Sequence, residues 1–191
     1  MSKLSFVIPC YRSENTISDV VNSIKQTVAN RPAYEYEIIL VNDSSPDNVY
    51  DVITDLARND FHIKGIDLAK NFGQHSALMT GYRYATGDII VCMDDDGQTP
   101  ADQMFKLIDK LNEGYDVVFA KYANKKHSFS RNLGSKINDF MARSLIGKPK
   151  NLAIMSYFCC RRFIINEIIR YQNPYPYISG LLLRSTNNTY F

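Results

Sequence analysis

The sequence predicts an α/β protein, with a mainly parallel β-sheet that carries helices on both faces. Short apolar runs alternate with helix-like segments through the first 120 residues, and this order requires crossover connections between parallel strands. The 191 residues are 45% hydrophobic and contain no low-complexity tract or regular repeat, which is typical of a globular protein. This length suits one domain with a substantial core rather than two full domains.

Five apolar runs predict the strands of this sheet. Each run is short, apolar and bounded by polar or turn-forming residues, as is typical of buried strands. The runs are residues 4–10, 36–42, 62–68, 88–94 and 115–121. With helices between them, successive strands are expected to run in the same direction.

Helical patterns separate these strands. Pro46 is well placed at the start of the second helix. A third helix is expected from about Gln74 to Gly87, a good C-cap residue, and a fourth from Thr99–Pro100 to Gly114. The first helix is marked by apolar residues on one face: Ile17, Val20, Val21, Ile24 and Val28.

The charge changes sign along the chain. Residues 1–120 hold 10 Lys and Arg against 18 Asp and Glu, a balance of −8, whereas residues 121–191 hold 12 against 2, a balance of +10. Such a basic region suits lipid headgroups, a phosphate-bearing substrate or nucleic acid. The alternative is a solvated basic face with no anionic partner.

The basic region begins with an amphipathic pattern. Apolar residues at helical spacing predict a basic helix that either packs on its own sheet or lies at a membrane surface. These residues are Leu133, Ile137, Phe140, Met141 and Leu145. A strand within residues 151–163 and a short helix over 164–171 follow, and the lack of an obvious stop at the end suggests a truncated chain.

The sequence also suggests a compartment. No run of about 18 apolar residues is present, and the first residues do not have the pattern of a signal peptide. The four cysteines, Cys10, Cys92, Cys159 and Cys160, are poorly spaced for a disulfide framework and are expected to be reduced and mostly buried. These features predict a cytoplasmic protein.

Three polar clusters follow predicted strands. They are "PCYRSEN" at 9–15, "VNDSSPD" at 41–47 and the three aspartates at 94–96. Ligands of open α/β sheets bind outside the carboxyl ends of the strands, so the clusters are expected to meet at one edge. One acidic turn would be weak evidence of a site, but three clusters at one edge favour it.

The three consecutive aspartates at 94–96 need a positive counter-charge if all of them are to be ionised. Neighbouring carboxylates raise one another's pKa, and a divalent cation such as Mg²⁺ or Mn²⁺ removes this repulsion. Because side chains alternate along an extended segment, Asp94 and Asp96 are expected on one side and Asp95 on the other. Asp94 and Asp96 are therefore the candidate metal ligands, and a solvated acidic turn is the alternative.

These motifs resemble the family 2 glycosyltransferases with a GT-A fold. The segments that carry the likeness are "FVIPCYRSEN", "EIILVNDSSPDN", "KNFGQHSALMTGYRYATGDIIVCMDDDGQTP" and "GYDVVFAKY". Within the family, the sequence is most similar to the polyprenyl-phosphate group, relatives of dolichyl-phosphate mannose synthase. The resemblance covers residues 4–122 closely and the remainder loosely.

The resemblance implies a nucleotide-sugar donor and assigns residues to it. Pro9, Tyr11 and Glu14 would line the nucleotide pocket, and Asp43 would accept a hydrogen bond from the base. Lys70, which opens the "NFG" motif, would contact the nucleotide or the sugar.

The resemblance further implies a metal-dependent reaction. Asp94 and Asp96 would bind Mg²⁺ or Mn²⁺ against the donor diphosphate, with Asp95 near the sugar or ribose and Gln98 as a further polar contact. Lys121 would contact phosphate as a point charge, because it stands where relatives usually have Arg. Among the basic residues beyond it, Arg131 is a candidate for holding a lipid phosphate.

The sequence departs from the family pattern on the acceptor side. Relatives typically have an Asp where this chain reads "IMSYFCC" and a basic residue where it reads "YISGLLL", and the chain has no Trp for a "QxxRW" motif. A phosphate monoester has a second pKa of ~6 and needs no base to become an anion, whereas a sugar hydroxyl needs one. The missing base therefore favours a lipid phosphate acceptor.

The resulting hypothesis is an inverting hexosyl transfer to a polyprenyl phosphate at the inner face of the membrane, in cell-envelope polysaccharide synthesis. Residues 1–122 would bind the nucleotide sugar, and residues 123–191 would form a basic, membrane-proximal acceptor side of the same domain. No nucleic-acid partner is expected, and homo-oligomerisation stays open. The alternatives are transfer to a glycan hydroxyl, a nucleotidyltransferase, which the absence of a Gly-rich loop disfavours, and a binding module without activity.

Overall fold

The computed structural model describes residues 1–120 and 156–191. The first range contains strands β1 Ser2–Cys10, β2 Tyr34–Asn42, β3 Ile63–Asp67, β4 Ile89–Cys92 and β5 Val117–Phe119. Its helices are α1 Ile17–Ala29, α2 Val49–Asn59, α3 Gln74–Tyr84 and α4 Met104–Asn112, the last preceded by a 3-10 turn at Ala101–Gln103. The second range contains β6 Phe158–Arg161, α5 Arg162–Ile168, α6 Ile178–Ser185 and β7 Thr189–Tyr190.

The described strands form one sheet in the order β3-β2-β1-β4-β6-β5-β7. The pairs β1–β2, β2–β3, β1–β4 and β5–β7 are parallel, and β6 is antiparallel to both of its neighbours, β4 and β5. The predicted α/β class and the mainly parallel sheet are therefore confirmed. Since β6 lies between β4 and β5, the second described range completes the sheet that the first range begins.

Helices cover both faces of the sheet, as the alternation predicted. Along β1, Leu4, Phe6 and Ile8 pack in a cluster with α1, α2 and α4, whereas Val7 packs in a second cluster with α3, α5 and α6. Both clusters consist of almost fully buried apolar side chains, and this burial is the main stabilising contribution to the fold. The carboxyl ends of the central parallel strands therefore lie at one edge of the sheet, and helices pack on both faces of the sheet beside them.

Gly87 does not cap α3, so that expectation is wrong. The helix ends at Tyr84 and its C-cap residue is Ala85. A Cβ atom on Gly87 would lie 2.6 Å from the Lys3 carbonyl oxygen and 2.8 Å from the Ser5 nitrogen, closer than any side chain allows. Glycine is needed there because the backbone before β4 passes directly against β1.

Other expectations can be located in the structure. All four cysteines are buried and unpaired, as predicted. No helix of the described ranges is long and apolar enough to cross a membrane. The predicted basic amphipathic helix falls within 121–155, outside the described residues.

Glu37 forms a buried hydrogen-bond network near the amino-terminal ends of β1 and β2. Its Oε1 atom accepts from Ser5 Oγ at 2.7 Å and from the Thr86 backbone N–H at 2.6 Å. Its Oε2 atom accepts from Lys64 Nζ at 2.8 Å and from Lys3 Nζ at 3.2 Å. Burial alone would raise the pKa of Glu37, but hydrogen bonds led by Lys64 and Ser5 outweigh it and hold the pKa well below its usual range.

Replacing Glu37 by Gln is expected to lower the free energy of unfolding by about 2 kcal/mol at pH 7, because an amide N–H replaces one accepting oxygen. The folded pKa lies below the unfolded value of about 4.3, so this stabilisation is present above that pH and is lost as pH falls. Urea unfolding at pH 7 and pH 3 should show a difference from wild type that shrinks at pH 3. Glu35→Gln, an exposed neighbour on β2, is the control; a Glu37→Gln effect equal at both pH values would contradict the charge assignment.

Candidate active site

A cavity of about 390 Å³ lies at the carboxyl ends of β1, β2 and β4, beside the first residues of α3. Parallel strands place their carboxyl ends at the same edge, so residues far apart in sequence meet there. The lining residues are Pro9, Cys10, Tyr11, Asp43, Asn71, Gly73, Gln74, Asp94, Asp95 and Asp96. All three polar clusters that the sequence singled out contribute to this cavity.

Asp95 connects the loops that follow β1 and β4. Its Oδ2 atom accepts a hydrogen bond from the Tyr11 backbone N–H at 2.9 Å, and its carbonyl oxygen accepts from Thr16 Oγ1 at 2.6 Å. Burial raises the pKa of Asp95, and the Tyr11 hydrogen bond opposes this shift. Its carboxylate thus faces the β1 loop, and its contact with sugar or ribose stays a prediction.

Asp94 is held by side chains from two other segments. Its Oδ1 atom accepts from Gln74 Nε2 at 3.1 Å, and its Oδ2 atom accepts from the Ser156 hydroxyl. Burial raises the pKa of Asp94, the Ser156 hydrogen bond opposes this, and the charges of Asp96 and Asp95 raise it further. A cation at this position would remove the repulsion that raises the pKa.

Asp96 is more exposed than its two neighbours. Its Oδ1 atom accepts from the Gln98 backbone N–H at 2.9 Å, and Gly97 between them has a φ of +71°, which favours glycine. This turn directs the chain away from the sheet immediately after Asp96. Gln98 itself is exposed and is not among the residues that line the cavity.

Asp43 fixes the loop before α3. Its Oδ1 and Oδ2 atoms accept from the backbone N–H groups of Phe72 and Gly73, each at 2.8 Å. Gly73 has a φ of +86°, a conformation that suits glycine, and it precedes the first residue of α3. Asp43 is 3% exposed, so its carboxylate depends on these two donors. Recognition of the base by its remaining lone pairs stays a prediction.

Glu14 and Lys70 were also predicted to contact the nucleotide sugar, but neither is among the residues that line the cavity. The Glu14 Oε2 atom accepts from the Asn48 backbone N–H at 2.9 Å, and the Glu14 N–H donates to Asp47 Oδ2 at 3.0 Å, so Glu14 joins the β1 and β2 loops. Lys70 Nζ lies 4.9 Å from the ring centroid of Phe72. Nucleotide contacts by either residue stay predictions. Lys121 and Arg131 lie outside the described residues.

The carboxylates suit a divalent cation that completes its coordination with substrate. No group of three or more His, Cys, Asp or Glu residues that could hold a metal occurs within 1–120 and 156–191. Asp94 and Asp96 offer two carboxylates, and Mg²⁺ is usually held by one or two carboxylates together with substrate phosphates. The residues present therefore fit Mg²⁺ or Mn²⁺ bound with a diphosphate, with Asp94 and Asp96 as the predicted ligands.

Sequence reasoning missed Gln74 and Ser156. Gln74 follows the third strand at the start of a helix, and a polar residue at that position was an available signal. Ser156 stands in the "IMSYFCC" stretch that departs from the family pattern, but no local signal pointed to its contact with Asp94, 62 residues away in sequence. Antiparallel pairing places Cys92 opposite Phe158, and continuing this register brings Ser156 beside Asp94.

The chain is an open α/β protein with a mainly parallel sheet, and its carboxylates cluster at the edge where such sheets bind their ligands. The family model described as glycosyl transferase family 2 matches residues 5–170. The chain belongs to this family.

Solved structures share its fold. Mannosyl-3-phosphoglycerate synthase from Rubrobacter xylanophilus matches 87% of this chain with a TM-score of 0.66 and 17% identity. A mannosyltransferase from Pyrobaculum calidifontis, in complex with GDP-Man and Mn²⁺, matches 92% with a TM-score of 0.65 and 16% identity. Glucosyl-3-phosphoglycerate synthase from Mycobacterium tuberculosis, in complex with Mn²⁺, UDP-glucose and phosphoglyceric acid, matches 87% with a TM-score of 0.66 and 18% identity.

These comparisons establish the GT-A fold, as the resemblance implied. The chain spans 56%, 48% and 59% of the lengths of those three proteins. The donors and acceptors named for these structures are those of the three proteins themselves. Because the identities are below 20%, the comparisons show only that this chain shares their fold.

Proposed function

We propose that the protein is a metal-dependent, inverting glycosyltransferase that moves a sugar from a nucleotide sugar to a polyprenyl-phosphate-type lipid. This proposal rests mainly on the cavity in which Asp43 and the three aspartates at 94–96 converge at the carboxyl ends of the central strands. Family membership supports the reaction class, and two related structures are described as holding a nucleotide sugar with Mn²⁺.

On the donor side, the nucleotide would lie over Pro9 and Tyr11, with its base toward Asp43. Asp94 and Asp96 would hold the cation, which neutralises charge on the departing diphosphate when bound. Gln74 and Ser156 fix the orientation of Asp94 through hydrogen bonds to both of its carboxylate oxygens. These two hydrogen bonds restrict rotation of the Asp94 carboxylate before substrate arrives.

In the proposed reaction, an acceptor oxygen attacks the anomeric carbon of the donor sugar. The bond from that carbon to the diphosphate oxygen breaks, and the nucleoside diphosphate leaves with the bonding electron pair. One displacement inverts the anomeric centre. A lipid phosphate enters as an anion near neutral pH, so no residue has to remove a proton.

The residues near Asp94 support this choice of acceptor. Where the family resemblance leads one to expect an Asp, the chain reads "IMSYFCC", a stretch without a carboxylate that includes Ser156 and Tyr157. The Ser156 hydroxyl donates to Asp94, and the Tyr157 hydroxyl donates to the Pro100 carbonyl at 3.2 Å. Neither side chain is a base at neutral pH. The +10 balance of residues 121–191 supports docking at an anionic membrane face, in the cytoplasm.

A hydroxyl acceptor is the second candidate. The related synthases are named for phosphoglycerate products, and one structure contains phosphoglyceric acid, so the acceptors in their names are not lipids. Transfer to a hydroxyl of a growing glycan would need a carboxylate base. In the described lining of the cavity the only carboxylates are Asp43 and the three aspartates already assigned.

The proposed function predicts nucleoside diphosphate release that depends on lipid phosphate. Purified protein with Mn²⁺ or Mg²⁺ is incubated with a panel of nucleotide sugars, with and without polyprenyl phosphate, and released nucleoside diphosphate is measured. Release is expected to rise at least about tenfold with the lipid phosphate and to vanish with EDTA. Release with a glycan hydroxyl acceptor and none with lipid phosphate would refute the proposed acceptor.

A further inference from the structure

Two residues beside the cavity of about 390 Å³, the donor cavity, have a backbone conformation that favours glycine. Arg12 has a φ of +58° and Ser44 a φ of +50°, and they directly follow the lining residues Tyr11 and Asp43. This left-handed conformation costs free energy for a residue with a Cβ atom, so it persists only where the surrounding structure holds it. Tyr175 is the other non-glycine residue with a positive φ in the described ranges, and it lies outside the cavity lining.

Side chains of another loop hold the backbone around Arg12. The Arg12 N–H donates to Ser45 Oγ at 2.7 Å, and the Glu14 N–H donates to Asp47 Oδ2 at 3.0 Å. Ser45 and Asp47 both belong to the loop between β2 and α2. The two N–H groups lie on either side of the peptide bond between Arg12 and Ser13. The path of the β1 loop at its strained residue therefore depends on the β2 loop.

Ser45 and Asp47 together form what we call the β2 clamp. Ser45 Oγ donates to Asp47 Oδ1 at 2.6 Å, so the hydroxyl that accepts from Arg12 is oriented by a carboxylate. Burial alone would raise the pKa of Asp47, but hydrogen bonds led by the one from Ser45 outweigh it and lower the pKa. Asp47 is therefore ionised at neutral pH, and hydrogen bonds to a carboxylate are stronger than those between neutral groups.

The β2 clamp is tied to the ends of two strands. The Ser45 N–H donates to Asn42 Oδ1 at 3.1 Å, which closes a turn over Ser44. Asn42 Nδ2 in turn donates to Asp67 Oδ1 at 2.7 Å. Asn42 is the buried last residue of β2, and Asp67 is the last residue of β3. The clamp is therefore anchored on the sheet and not only on loops.

We propose that Ser45, with Asp47 behind it, is a positioning residue for the donor that holds Arg12 in the left-handed conformation and so keeps Tyr11 at the donor cavity. This inference rests on the proposed function and deepens it, since it names residues that set donor affinity without lining the cavity. Without the β2 clamp, Arg12 relaxes to a negative φ and the chain at Tyr11 changes direction. Only a fraction of the molecules then offers the complete cavity, and the observed affinity falls in proportion to that fraction.

Glycine at position 12 provides the test, because glycine adopts a positive φ without a Cβ penalty. Ser45→Ala is made in two backgrounds, Arg12→Ala and Arg12→Gly, which both lack the guanidinium group. UDP or GDP, whichever the parent protein binds more tightly, is titrated in Mn²⁺ by calorimetry. Ser45→Ala is expected to weaken binding about tenfold in the Arg12→Ala background and no more than about threefold in the Arg12→Gly background. An equal loss in both backgrounds would overturn the inference.

Asp47→Ala tests the second residue of the clamp. It removes the acceptor of the Glu14 N–H and the partner of the Ser45 hydroxyl, so it should show the same tenfold loss and the same rescue by Arg12→Gly, to about the same extent. Tyr175→Gly is the matched control, because it relieves a positive φ outside the site and should not rescue Ser45→Ala. Rescue by Tyr175→Gly would mean general stabilisation and would overturn the inference. Thermal unfolding checks that each variant is folded.

The outcomes separate this inference from the proposed function. With polyprenyl phosphate as acceptor, Ser45→Ala should raise KM for the nucleotide sugar about tenfold and change kcat by less than about twofold. An unchanged KM in a protein that transfers sugar to the lipid phosphate would overturn the role of the β2 clamp and leave the proposed function standing. The predicted rescue of nucleotide binding, found in a protein that transfers no sugar to any lipid phosphate, would support the clamp and refute the proposed reaction.

Discussion

Replacing Asp96 by Ala is expected to weaken metal-dependent nucleoside diphosphate binding by about 10²–10³-fold and to reduce turnover by at least as much. Asp96 is the most exposed of the three carboxylates, and its second oxygen, Oδ2, has no partner among the hydrogen bonds described above. Its loss removes one of the two predicted carboxylate ligands, so the cation is held less tightly against the diphosphate. Calorimetry with Mn²⁺, and again with EDTA, measures the effect.

The metal dependence distinguishes this role from a structural one. In EDTA the parent and the Asp96→Ala variant should bind nucleoside diphosphate equally weakly. Asp102→Ala removes an exposed carboxylate from the turn that follows and is expected to leave binding unchanged. If Asp96→Ala bound nucleotide in Mn²⁺ as tightly as the parent protein, Asp96 would not be a metal ligand.

Replacing Asp43 by Asn is expected to reduce both stability and donor binding. One carboxylate oxygen becomes an NH₂ group that faces a backbone N–H of Phe72 or Gly73, so a donor meets a donor in a buried site. The free energy of unfolding should fall by about 3 kcal/mol and the melting temperature by roughly 6–12 °C. Nucleoside diphosphate affinity should fall at least about tenfold, because Asn71, Gly73 and Gln74 line the cavity and lose their support.

Thermal unfolding and calorimetry check this prediction together. Asp51→Asn, at an exposed position in the first turn of α2, removes one carboxylate without a buried partner and should shift stability by no more than about 0.5 kcal/mol. An Asp43→Asn variant with unchanged melting temperature and weakened nucleotide binding would mean that Asp43 acts on the base alone and does not hold the loop.

The sequence allowed much of the site to be predicted, because most of it follows from local pattern. Strand periodicity located β1, β2 and β4, and parallel strands place their carboxyl ends at one edge. Pro9, Tyr11, Asp43 and the three aspartates at 94–96 therefore met in one cavity as expected. What could not be predicted is which partner each side chain takes, since hydrogen bonds across loops depend on the final packing of several segments.

Gly87 and Glu37 are two residues outside the site whose contacts could not be predicted from the sequence either. A glycine after a helix matches the pattern of a cap, yet Gly87 is required by the close approach of β1. Glu37 is the buried acidic residue of β2, and only its position beside Ser5, Thr86 and Lys64 explains its burial. Local pattern cannot reveal these contacts, because their partners lie 27 (Glu37 to Lys64) to 84 (Gly87 to Lys3) residues away in sequence.

The sequence by itself determined the α/β class, the strand ends that carry chemistry, the carboxylate cluster and the basic character of the final third. These properties depend on residue type and short-range spacing, which fix which segments become strands and which side chains follow them. The tertiary structure alone decided that β6 enters antiparallel between β4 and β5, which brings Ser156 to Asp94. The pairing of β6 with β4 joins segments more than 60 residues apart, and packing of the whole sheet selects it because no local signal in either segment specifies its partner.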